Sequence, residues 1–181
     1  LVAFFQLVAL PGDAHTTVQP SPARPLHYYP IELYSYEDGL FIRRADSAHA
    51  SMVGARVIRL GNASADEAMS RVATIVPHEN DWWVRAWGPF WLSAAEMAHG
   101  LGLTPDPDRL TLVVERNGKQ ETVTLAAAGA MAHGEGGAVD MSHWVSMRTV
   151  SAPLSEQRSG ELFWWTWLAD SRTLYVSLRG V

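Results

Sequence analysis

Gly12-Asp13-Ala14-His15-Thr16 places an acid, a histidine and a flexible backbone within five residues, directly after an apolar run. Imidazole titrates near neutral pH, so His15 can take a proton and return it under ordinary conditions, as a general base in acyl transfer must. A plainer reading is also open. Gly-Asp is a common turn, Asp13 can accept from its own backbone, and His15 is then a strand-edge residue.

A second candidate is Gly39-Leu40-Phe41-Ile42, a glycine entering an apolar strand. Such a glycine lets backbone N–H groups face outward, where they can receive the terminal carboxylate of a peptide. A helix beside the strand would complete a groove for an added strand of peptide, and Ser64–Val76 is the candidate helix. The alternative is an ordinary strand start.

The other histidines, His27, His49, His78, His99, His133 and His143, show neither H-x-x-x-H nor H-E-x-x-H spacing, so the sequence offers no metal site. Ser47-Ala48-His49 reads as a loop turn. No G-x-S-x-G nucleophile elbow occurs. Trp82, Trp83, Trp87 and Trp91 crowd one short stretch; they read as core or domain-interface residues, with a carbohydrate or peptide platform as the alternative.

These residues need elements to hold them. Leu1–Leu10 reads as a helix stopped by Pro11-Gly12. Four prolines make Gln19–Pro30 an extended connector. Ile31–Tyr36 alternates apolar and polar as a half-buried strand, Asp38-Gly39 turns, and Leu40-Phe41-Ile42 follows as a second strand. Gly54–Asn62 is a strand closed by Gly61-Asn62. Ser64-Ala65-Asp66-Glu67 matches a capping box, and Ala68, Met69, Val72, Ala73 and Val76 give the following helix an apolar face before Pro77. Ser93-Ala94-Ala95-Glu96 matches a second capping box, with Gly100 or Gly102 closing its helix. Leu110–Glu115 and Glu121–Leu125 form a hairpin at Asn117-Gly118. Ala126–Gly137 reads as an Ala/Gly-rich linker. Leu162–Leu168 is aromatic, and Ala169–Arg172 turns into a last strand.

Composition limits the partners. The chain has 181 residues, no cysteine and a net charge of −5. Disulfides, cysteine-based zinc and a cysteine nucleophile are excluded. With no basic stripe, nucleic acid is not an expected partner. Leu1–Leu10 is too short to span a bilayer and has no basic region ahead of it, so neither a transmembrane segment nor a signal peptide is expected. Both ends read as cuts through a larger structure. No cofactor is expected.

The order of Leu40-Phe41-Ile42, Gly54–Asn62, the capped helix and the Leu110–Gly118 hairpin resembles a PDZ-like domain, with His78–Asp108 as an insertion. The family's usual Gly-Asp before the middle strand is Gly54-Ala55 here. With Gly12–Thr16 ahead and Leu162–Val176 behind, the chain resembles the N-terminal half of the tail-specific, or C-terminal processing, serine peptidase family. The resemblance implies an α+β fold: a PDZ-like small β-barrel or sandwich, with capped helices and a Trp-rich helical insertion. It implies residues 1–30 as the end of a helical segment with its connector and residues 31–127 as the PDZ-like domain. Residues 128–181 would be a linker and the first strand of an α/β catalytic core. It implies proteolysis by a serine nucleophile lying further on. Relatives pair that serine with either a lysine or, in the tricorn-like arrangement, a histidine. Lys119, the one lysine here, lies in a hairpin turn. His15 matches the tricorn-like histidine, but Ala14 stands where an orienting serine is usual, which leaves Asp13 as a candidate for that role. Gly39, Leu40, Phe41 and Ile42 would receive a polypeptide substrate, engaged through its C-terminus. Relatives suggest an extracytoplasmic location. A peptide-binding module without catalysis is the alternative, and oligomeric state is left open.

Overall fold

The computed structural model describes residues 1–21, 23–131, 143–147, 153–158 and 160–179. The chain is α+β, and it divides into two compact units, Leu1–Met147 and Arg148–Val181. The expected module at 31–127 lies inside the first, larger unit.

The first unit is built on an open antiparallel sheet; among the described residues no closed barrel forms. Its strands are β2 (Ile31–Tyr36), β3 (Gly39–Ala45), β4 (Arg56–Leu60), β6 (Arg109–Arg116) and β7 (Lys119–Ala126), in that spatial order. Two short strands join it: β5 (Ala63–Ser64) on β4 and β9 (Val145–Ser146) on β3. Alternation dictates which face is dry. Ile31 and Leu33, Leu40 and Ile42, and Leu110, Leu112 and Val114 all point to the core. The β6–β7 turn puts Asn117 and Gly118 at φ 52° and 73°, the left-handed pair that a two-residue hairpin needs.

Among the described residues four helices meet this sheet or each other: α1 (Val2–Ala9), α2 (Ala65–Ala73), α3 (Asp81–Leu92) and α4 (Ala95–Gly100). Ser64 caps α2 by accepting from the Glu67 N–H, as the capping box requires. Glu67 does not reach back; its carboxylate pairs with Arg71 one turn on. The helix also stops at Ala73, short of the expected Val76, yet Ile75 and Val76 still reach the core from the following turn. The second capping box does not form. The Ser93 hydroxyl donates to the Pro89 carbonyl, and Glu96 accepts from the His27 backbone N–H at 2.9 Å.

The tryptophans correct the core reading in part. Helical periodicity sends Val84, Gly88, Trp91 and Leu92 inward and turns Trp82, Trp83 and Trp87 outward. Trp91 is 7% exposed and meets Phe5 of α1 edge-on at 5.1 Å, whereas Trp82 is 75% exposed. The proline-rich connector is not wholly irregular either. Leu26–Tyr28 forms β1 and pairs with β8 (Ala128–Met131), inside the stretch read as a linker. Most of the remaining linker, and His133, lies outside the described residues.

In the second unit, β10 (Phe163–Leu168) and β11 (Thr173–Leu178) form an antiparallel hairpin. Trp164 is buried on one face. Trp165 and Trp167 are exposed on the other, so of the three only Trp164 acts as a packing residue among the described ones.

Candidate functional site

The β2–β3 hairpin turns at Glu37-Asp38, one residue earlier than its sequence suggests, and Gly39 becomes the first residue of β3. Its φ of +144° is a conformation that glycine adopts freely. The turn forms one wall of a cavity of about 470 Å³. Gly39, Leu40 and Arg56 lie on the sheet side; Asp66, Met69 and Ser70 come from α2, and Asp81, Val84 and Arg85 from α3. The volume lies within the usual range of ligand pockets.

The four residues expected to receive peptide do not act together. Gly39 and Leu40 line the cavity. Phe41 packs edge-on against Tyr36, with ring centres 5.6 Å apart, and Ile42 is fully buried. An added strand of peptide along Gly39–Ile42 has no open edge to join. The tight turn folds β2 onto one side in register, Tyr36 opposite Gly39 and Leu33 opposite Ile42. On the other side the Ile42 N–H donates to Ala55 and the Ile42 carbonyl accepts from Gly54. On this side the sheet ends at β2, and α3 packs along it.

His15 sits in a separate, open loop. Asp13 organises that loop: one carboxylate oxygen accepts from the His15 N–H at 3.0 Å and the other from the Thr16 hydroxyl at 2.6 Å. The Thr16 hydroxyl first, and the His15 N–H second, hold the Asp13 carboxyl below its ordinary pKa. The His15 ring is 91% exposed, and its Nδ1 is 3.6 Å from Asp13 Oδ1, too far for a hydrogen bond. Asp13 therefore fixes the loop and leaves the imidazole unoriented.

Glu79 joins this loop from a distant part of the sequence, accepting from the Ala14 N–H at 3.4 Å. Asp13, His15 and Glu79 bring one donor atom each within 4.8 Å of one another, so they could hold a cation only as an open, three-donor set on the surface. Of the other described histidines, four are held by contacts within the chain and His143 is exposed. His27 pairs with Glu96 and His49 with Asp46, each at 2.6 Å. The Nδ1 groups of His78 and His99 donate to the carbonyls of Val76 and Thr104.

Arg56, Asp81, Arg85 and Glu79 were not legible as site residues. Arg56 and Arg85 each stand alone between apolar residues, Glu79 and Asp81 flank Asn80, and only the hairpin and the placement of α3 bring them beside Gly39 or His15. Asn80, which accepts from the Trp83 N–H and starts α3, was the one available signal. Comparison with family models, curated proteins and solved structures found no match.

Proposed function

We propose that this chain is the substrate-recognition part of a serine-type endopeptidase resembling the tail-specific peptidases, with a PDZ-like domain that takes a polypeptide C-terminus in the cavity beside Gly39. One observation carries the reading. The Gly39 turn, where a carboxylate-receiving backbone was expected, borders a cavity, and the Arg56 guanidinium lies against it. In support stand a β-hairpin, a strand, a Ser-capped helix and a closing Asn-Gly hairpin, in that order.

In this proposal His15 is the general base of the parent enzyme. It takes the proton of the serine during attack and returns it to the leaving amine. The serine belongs to the remainder of such an enzyme, so these 181 residues alone should not hydrolyse peptides. An exposed ring without a hydrogen-bonded orienting partner favours a second reading, a peptide-binding module without catalysis.

Two measurements separate these readings. Peptides with free and amidated C-termini are titrated into the chain; tighter binding of the free form is expected, and equal binding would remove the carboxylate site. The full-length parent is treated with a fluorophosphonate probe, with and without His15→Ala. Loss of labelling and of casein cleavage in the variant is expected of a base. Equal labelling and cleavage would take that role from His15, and no labelling of either protein would favour the binding module.

A further inference from the structure

We propose that the polypeptide end bound beside Gly39 carries a lysine or arginine side chain within its last few residues. This rests on the reading of the cavity as a C-terminus site and adds the charge of its ligand.

Besides Tyr36 and His78, six charged side chains line the cavity, all of them solvent-exposed: Glu37 and Asp38 from the β2–β3 turn, Asp66 from α2, Asp81 and Arg85 from α3, and Arg56 from β4. Four carboxylates against two guanidinium groups leave an excess of negative charge. The charges do not cancel in pairs. Among the described residues none of the six makes an ion pair, and Arg85 instead lies over the Trp82 ring at 5.1 Å. Asp66 and Asp81 stand in the first turns of their helices. The partial positive charge at two helix ends offsets only about one of the four carboxylates.

A terminal carboxylate entering beside Gly39 meets the Arg56 guanidinium, the cation nearest the turn. That contact neutralises one of the two cations and adds to the acidic excess on the rest of the wall. An acidic side chain just upstream would then enter a cavity already short of cations. A lysine or arginine there restores the balance, with Asp66 and Asp81 as its acceptors on the helix side.

Peptides of one length, with lysine, alanine or glutamate at the penultimate position and a free C-terminus, are titrated into the 181-residue chain by fluorescence anisotropy. The lysine peptide should bind about fivefold or more tightly than the glutamate peptide, and the gap should narrow as salt rises. The amidated alanine peptide separates the two readings. If free and amidated forms bind alike, the C-terminus site fails. If the free form is favoured but lysine and glutamate bind alike, or glutamate binds tighter, the charge inference alone is overturned. In the double variant Asp66→Asn, Asp81→Asn, lysine preference over glutamate should collapse, while a far-UV circular dichroism spectrum like that of the parent shows that the variant is folded. Retained lysine preference in that variant would overturn the assignment of these acceptors.

Discussion

The guanidinium of Arg56 lies against the backbone of Gly39, with Nε 2.9 Å from the position a Cβ on residue 39 would occupy. Gly39→Ala therefore meets two obstacles, a φ of +144° and a guanidinium in the way. The variant should lose about 1–3 kcal/mol of stability to backbone strain. If Arg56 receives the carboxylate, discrimination between free and amidated peptides should also weaken. Denaturant titration and peptide anisotropy check the two effects separately.

Gly61 is the tighter position. It has φ +54°, its N–H donates to the Thr111 carbonyl at 2.7 Å, and a Cβ there would overlap the Leu103 carbonyl. That obstacle is backbone and cannot rotate away. Gly61→Ala should cost about 2 kcal/mol or more, the strain and overpacking terms adding. A shift of less than about 0.5 kcal/mol in urea unfolding would contradict this close approach.

Tyr29 is fully buried, and its hydroxyl donates to the Pro107 carbonyl at 2.9 Å. Burial first, and the negative charge of Asp106 second, push the phenol well above its ordinary pKa. The folded state thus favours the neutral phenol. Its contribution is complete below the unfolded value near 10 and is lost as pH rises above it. Tyr29→Phe should cost about 1 kcal/mol at pH 7 and unfold with a smaller loss above pH 10 than the parent protein. Urea midpoints at the two pH values test this.

Asp13 offers a local test of the His15 loop. Its depressed pKa means that the charged form holds the turn. That contribution is present above the usual aspartate value and is lost as pH falls through the lower folded value. Thr16→Val removes the largest cause, so NMR titration should find the Asp13 carboxyl moved up toward its ordinary range. An unshifted titration in the parent protein would contradict the Asp13–Thr16 bond.

Local patterns were legible wherever the cause was local. Alternation gave Ile31–Tyr36 to the residue, and Asn117-Gly118 marked its hairpin because two successive left-handed residues suit few other pairs. What depends on distant partners was not legible. Leu26–Tyr28 is a strand because Ala128–Met131 pairs with it, and Glu96 is drawn from a capping role by the His27 N–H. The outward turn of Trp82, Trp83 and Trp87 follows from α3's inner face being Val84, Gly88, Trp91 and Leu92. Composition alone does not choose between those faces. At the site, the glycine turn was legible and the charged wall was not, because its members come from β4, α2 and α3.

The pairing of β4 with β6 has a kinetic consequence. Leu60 lies opposite Leu112, across about fifty residues of intervening helices. The β2–β3 and β6–β7 hairpins can each close within a few residues, but the bond between them waits for that long loop to be gathered. The sheet should therefore assemble as two ready-made halves joined late. The helices that carry Asp66, Asp81 and Arg85 lie in the loop that must close, so the cavity beside Gly39 is among the last parts of the molecule to exist.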